Sequence, residues 1–264
     1  EFKEFFPSNS VGYFISYYDY YQPEAYLPST DTYIAKDSSI NETIDKMRHE
    51  TTRGLFEEGK TIIVSSVSCI YGLGSPESYG KNVISVAVKD KLKQRDFILS
   101  LLAIQYSRDD RCLQRGSFRV RGDTIDVFPS HCSENAIRIV FFADTIESIV
   151  EIDIFSGQMQ RAIDKLAIYP NSHYVADRKD IHKICQEILE DLGKRLREFQ
   201  KLGRLDLAER IEQRTMQDIE YLEKLGFCPG IENYSRYLTG KLRGEPPPCL
   251  LDYFPKEFLT IIDE

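Results

Sequence analysis

Between Tyr17 and Asp37 the chain gathers six tyrosines around Pro23 and Pro28, and sets Asp19, Glu24, Asp31 and Asp37 against Lys36 alone. Proline withholds a ladder hydrogen bond, so such a segment cannot be a central strand. Its carboxylates would also go unpaired in a core. Yet aromatic and β-branched residues crowd both ends, YFISYYDYY and DTYIA, which is strand-forming chemistry. One reading satisfies both demands: an extended, hairpin-like arm over residues 15–41, standing in solvent. No Asn-Gly pair marks its turn, so its register is open.

An exposed aromatic arm needs a partner. The net charge of −8 and pI near 5.2 argue against a protein held on DNA mainly by phosphate neutralisation. Stacking of bases on aromatic rings needs no positive charge and contributes about 1–3 kcal/mol per base. The arm's carboxylates would keep phosphates away and discourage indiscriminate duplex binding. Composition leaves nucleic acid and a protein partner equally open.

The 264 residues suffice for one large domain or two ordinary ones. Asn41–Glu58 reads as a helix capped by Asn41 or Ser39, with Ile44, Met47 and Leu55 as its apolar spacing. Thr61–Val67 is an apolar and β-branched run, the pattern of a buried parallel strand, and a loop with Gly72, Gly74 and Pro76 follows. Short strands then come in series: Val83–Val88, Ser117–Val120, Thr124–Phe128, Ile137–Phe142 and Ile146–Asp153. With a helix over Gln94–Gln105, they suggest a compact α+β insert spanning 82–175. Asp177–Leu225 carries an apolar stripe of three-to-four-residue spacing broken at Gly203, as expected for two antiparallel helices. Phe227–Pro248 reads as irregular. Leu259–Glu264 reads as a short apolar strand ending in Asp263 and Glu264.

Gly54–Thr61 fits the spacing of a phosphate loop, G-x-x-x-x-G-K-T, but a helix precedes it and a strand follows. A working loop needs the reverse order, so that helix-terminal N–H groups meet the phosphates, and Glu57 and Glu58 would repel them. Asp263-Glu264 resembles the strand-end pair that holds Mg²⁺ and polarises water in nucleotide hydrolases. Without a phosphate loop in the same chain it supports no catalysis. Arg108, Arg111, Arg115, Arg119, Arg121 and Arg138 form either a solvated face or a docking surface. The six cysteines include no C-x-x-C pair, which argues against structural zinc and for reduced cytosolic thiols. The histidines are scattered and no metal site is expected. No apolar run is long enough to span a bilayer and no secretory leader is evident, so a cytoplasmic location is expected. The chain opens on Glu1 without Met and closes on Glu264, as an internal piece of a longer protein would.

Several strings together carry a family resemblance. They are Tyr17-Tyr-Asp-Tyr-Tyr-Gln-Pro-Glu-Ala-Tyr26, Asp45-Lys-Met-Arg-His49, Ser66-Val-Ser-Cys-Ile-Tyr-Gly-Leu-Gly74, Gly226-Phe-Cys-Pro-Gly-Ile-Glu-Asn-Tyr-Ser-Arg236 and Leu251-Asp-Tyr-Phe-Pro255. They resemble the UvrB family, the damage-verifying subunits of bacterial nucleotide excision repair, along the whole chain. The resemblance implies an α/β fold: part of a RecA-like helicase domain with a protruding β-hairpin and an inserted α+β domain. The divisions would be 1–14 and 42–81 in the helicase-like domain, 15–41 the hairpin, 82–175 a UvrA-binding insert, and 176–264 a helical hairpin returning to the helicase-like domain. It implies DNA contact through Tyr17, Tyr18, Tyr20, Tyr21, Tyr26 and Tyr33, with Glu24 and Arg48 paired at the hairpin base. Arg108, Arg119, Arg121 and Arg138 would dock the UvrA subunit, and Val140 stands where an acidic residue is implied beside them. In the complete protein ATP and Mg²⁺ would act at a site including Asp263 and Glu264, and the UvrC nuclease would cut. This chain alone would bind no cofactor and hydrolyse no ATP. Arg119–Pro129 with Arg138–Phe142 also resembles the transcription–repair coupling translocase, which shares the insert but not the tyrosine hairpin.

Overall fold

A computed structural model of the chain describes residues 1–263 except 17, 24, 28, 31, 35, 36, 58, 59, 176 and 177, and the side chains of 21, 26, 33, 37, 38, 178 and 179 are likewise outside the description. A short helix α1 (Phe2–Phe5) precedes strand β1 (Ser10–Phe14). The arm follows as β2 (Tyr18–Gln22), β3 (Ala25–Leu27), β4 (Thr32–Ile34) and β5 (Asp37–Ile40). Helix α2 (Glu42–Glu57) leads into β6 (Thr61–Ser65), which pairs parallel with β1. Arm and α2 together are therefore the crossover connection of a β-α-β unit.

Local chemistry fixes the helix start. Asn41 Oδ1 accepts from the Ile44 N–H at 3.0 Å, a side-chain N-cap. The helix lies close against β1 because Gly12 carries no Cβ: one placed there would meet Thr51 Oγ1 at 2.6 Å. After β6 the chain makes a 3₁₀ turn (Val67–Ile70) and helix α3 (Pro76–Lys81). The loop expected around Pro76 is thus partly helical, with Ser75 as N-cap and Pro76 pre-set for the first turn.

Strand β7 (Ile84–Ala87) opens an α/β unit made of helix α4 (Gln94–Ala103) and strands β8 (Ser107–Arg108), β9 (Ser117–Arg121), β10 (Thr124–Phe128), β11 (Asn135–Phe142), β12 (Thr145–Asp153) and β13 (Met159–Ala162). The sheet order is β13-β12-β11-β10-β9-β8. It buries one face against α4 through Phe97, Leu101, Phe118, Ile125, Ile139 and Ile149. Strand β14 (Lys165–Ile168) then returns antiparallel to β7, pairing Ile84 with Ile168, so the chain enters and leaves the unit through one stem.

Helices α5 (Arg178–Lys201) and α6 (Leu205–Leu225) pack on each other through Ile181, Ile184, Ile188, Ile219 and Leu222. Gly226 ends α6 in a left-handed cap at φ 73°. Gln105 Nε2 donates to the Tyr174 and Gly226 carbonyls, tying the α/β unit to this helix pair. The segment read as irregular contains a 3₁₀ turn (Ile231–Tyr234) and helix α7 (Ser235–Thr239). A third core joins Phe14, Leu73, Tyr79, Tyr169, Leu250 and Tyr253 beneath the β1–β6 pair.

The strand expected over Leu259–Glu264 is not formed among the described residues. No described strand lies alongside it, and Leu259 and Ile262 are 84% and 89% exposed. An apolar run becomes a strand only where another edge receives its N–H and C=O groups. None of the described helices is long and apolar enough to cross a membrane.

Candidate nucleic-acid and partner interfaces

The arm is two antiparallel ladders in series. At its root β2 pairs with β5, Tyr18 opposite Ile40 and Tyr20 opposite Ser39. Farther out β3 pairs with β4, Tyr26 opposite Tyr33. Tyr20 is half exposed even though its hydroxyl donates to Gln22 Oε1 at 2.6 Å, and Leu27 and Ile40 are also exposed. Tyr18 is half-buried at the root. Of the other expected contact residues, Tyr17 and Glu24 lie outside the described residues, as do the side chains of Tyr21, Tyr26 and Tyr33.

The register shifts between Tyr18 and Tyr20, which makes Asp19 the extra residue of a β-bulge. Asn41 Nδ2 donates to both Asp19 oxygens, at 3.1 and 3.2 Å. Two turns into α2, Arg48 is 6% exposed, lies 3.9 Å over the Phe14 ring and donates to the Ile15 carbonyl at 2.7 Å. The ion pair expected between Glu24 and Arg48 falls on Glu24, which lies outside the described residues. Arg48 itself is buried against β1 and holds the backbone that enters the arm.

Behind that root, His49 and His173 stack at 4.5 Å, and Thr52 Oγ1 is 3.1 Å from His173 Nε2. Burial pushes the His49 imidazole down to about 4, with Asp45 opposing, and pushes His131 down to about 3. His173 is lowered as well, by burial first. These rings are neutral packing groups near neutral pH. Alongside them Arg115 joins Asp45 at 2.7 Å and the Ser130 carbonyl at 2.8 Å, so α2 is clamped to the α/β unit.

The second surface is the sheet face away from α4. Cross-strand register puts Arg119, Asp126 and Arg138 side by side, and Arg121, Thr124 and Val140 beside them. Asp126 is 2% exposed. Burial would raise its carboxyl, but Arg138 and Arg119, both bonded to it at 2.7–2.8 Å, hold it below the ordinary carboxylate value. Arg121 is exposed at the end of β9. Arg108 is not part of this group: it sits on edge strand β8 in register with Phe118 and pairs with Asp110 at 2.8 Å. The sequence pattern did not single out Asp126, because it becomes central only once three strands are in register.

The phosphate-loop spacing falls as its context implied. Gly54 is in the last turn of α2, Thr61 opens β6, and Glu58 and Gly59 lie outside the described residues. Thr61 Oγ1 donates to the Gly54 carbonyl at 3.3 Å, a helix-to-strand connection that presents no helix N-terminus. Asp263 is exposed in non-strand chain, and Glu264 lies outside the described residues.

Two family models match the chain: the UvrB interaction domain over residues 84–174 and the UvrB third helical domain over residues 179–240. Proteins named UvrABC system protein B are similar along its whole length. That of Nitratidesulfovibrio vulgaris (strain DSM 19637 / Miyazaki F) is 53% identical over 264 residues, covering 100% of this chain and 39% of that protein. Those of Syntrophotalea carbinolica (strain DSM 2380 / NBRC 103641 / GraBd1) and Natranaerobius thermophilus (strain ATCC BAA-1301 / DSM 18059 / JW/NM-WN-LF) are 53% and 52% identical over 264 residues, each with 40% of its length covered. The chain therefore spans about 40% of the length of the curated relatives it matches.

Proposed function

We propose that this chain, which belongs to the UvrB family, verifies DNA damage in bacterial nucleotide excision repair, with the tyrosine arm as the probing element. One observation carries the reading: an arm with exposed Tyr20 and Leu27 is tied at its root to a buried arginine and a helix cap. A wedge meant to enter between DNA strands needs apolar and aromatic surface outside and stiffness at its base. Tyrosine rings stack on any base, so passage of a normal nucleotide and arrest at a bulky one can be tested without reading sequence.

The division of labour follows the elements. Residues 15–41 are the DNA-contacting hairpin, with Tyr17, Tyr18, Tyr20, Tyr21, Glu24, Tyr26, Tyr33 and Arg48 as its set. Residues 82–175 dock the UvrA subunit. Segments 1–14, 42–81 and 176–264 belong to a helicase-like domain. The Arg119–Asp126–Arg138 group suits docking because two arginines are pre-set by one carboxylate while Arg121 stays open to a partner's acidic group. In the complete protein ATP and Mg²⁺ drive the motion, Asp263 and Glu264 belong to that site, and the UvrC nuclease follows in the cytoplasm.

Paired variants test this. Tyr20→Ala with Tyr21→Ala should weaken retention on damaged DNA by about 1–3 kcal/mol per lost stack, and leave UvrA capture unchanged. Arg119→Ala with Arg121→Ala should do the reverse. Gel shifts and UvrA pull-downs on both variants check it, and equal loss of both activities in both would overturn the assignment.

A further inference from the structure

We infer that Asn41 is a positioning residue that fixes the angle of the arm through the bulged Asp19; this rests on the DNA-verification reading. A helix cap alone does not require asparagine, since aspartate, serine and threonine supply the same acceptor. Asn41 uses both ends of its amide. Its oxygen takes the Ile44 N–H at 3.0 Å, and its nitrogen grips both oxygens of Asp19 at 3.1 and 3.2 Å. The orientation is dictated by chemistry: an ionised carboxylate only accepts and a backbone N–H only donates.

Asp19 meets Asn41 because of the bulge. Regular alternation sends neighbouring side chains to opposite faces, and the extra residue between Tyr18 and Tyr20 re-aims this one toward the helix end. The two arm strands differ in how they reach α2. Strand β5 runs into it directly through Asn41, whereas β2 is joined to it across space by the Asp19–Asn41 pair. Arg48 holds the entering chain one step earlier, at Ile15. The bulge and the cap together make the arm and α2 turn as one piece, and they sit beside Tyr20, the exposed ring. Loosening the pair lets the arm leave its working pose, and apparent affinity falls by the fraction of time it is away.

The test uses the whole chain, a DNA duplex carrying one fluorescein-modified thymine, and thermal melting in parallel. Asn41→Asp keeps the cap but sets two carboxylates against each other. It should melt with the parent chain and bind the duplex on the order of tenfold more weakly, as for an arm in position a tenth of the time. Asn41→Ser keeps the cap, removes the grip without repulsion, and should weaken binding in the same direction. The exchange Asp19→Asn with Asn41→Asp rebuilds the pair with reversed polarity and should restore parental affinity. Parental binding by Asn41→Asp, or a loss that the exchange does not recover, would overturn the positioning role. Tyr20→Ala run alongside separates the two ideas. If it weakens binding while Asn41→Asp does not, only this inference falls; if it too binds as the parent, the DNA reading falls with it.

Discussion

At the scale of single residues the sharpest energetic commitment is Asp126. Its carboxylate is buried, and Arg119 and Arg138 supply the hydrogen bonds that water would otherwise give. Asp126→Asn would leave two guanidinium groups facing each other without their counter-charge. Loss of about 2–4 kcal/mol is expected, at the lower end because Arg138 is partly exposed. Urea denaturation of the variant beside the parent measures it. The sequence of β10 did not show that arginines from β9 and β11 converge on that carboxylate, because register across three strands is set by contacts far apart in sequence. The same limit hid the Asp19–Asn41 pair, although Asn41 as a helix cap was readable from its neighbours.

Elements divide along the same line. Helix α2 was legible because its cap and apolar spacing lie within its own sequence, and strands β9 to β12 because alternation and turns lie within theirs. The strand expected after Leu259 failed because a strand needs an edge, which no window of sequence contains. Helix α3 was read as loop although Ser75-Pro76 spells cap and first turn; six residues are too short for periodicity to register. Its approach depends on Gly74. A Cβ there would lie 1.7 Å from the His173 carbonyl oxygen, a backbone atom that cannot swing away. Gly74→Ala should therefore part the segment before α3 from the segment after β14 and cost about 1–3 kcal/mol or more. A urea midpoint unchanged by the substitution would show that this contact opens freely.

For the molecule as a whole, acidity acts through three imidazoles, those of buried His49 and His173 and of half-buried His131. His49 is held near 4 in the fold against about 6.5 in an unfolded chain, with His131 and His173 lowered alongside it. Between those values the unfolded state binds more protons, so stability is complete above about pH 6.5 and drains as pH falls toward 4. His49 alone should remove about 2 kcal/mol by pH 5. Melting curves between pH 7 and 5 should show the loss, and His49→Gln should flatten it. These rings join α2 to residues before β11 and after β14, so this junction loosens first. The broad texture of the chain, from strand series to helix pair, was visible in its sequence; which pieces meet at the junction was not. The stem of β7 and β14 gives that arrangement a further consequence. Ile84 and Ile168 face each other across one ladder, at the usual strand separation of about 4.8 Å. To the polymer on either side, everything between them is a closed loop whose ends already touch. Its closure entropy is charged to the loop's own core, since chain entropy grows only slowly with loop length once the ends are held. The flanking segments can then find each other as though they were near neighbours in sequence, and the time they take should barely depend on how much chain the stem encloses.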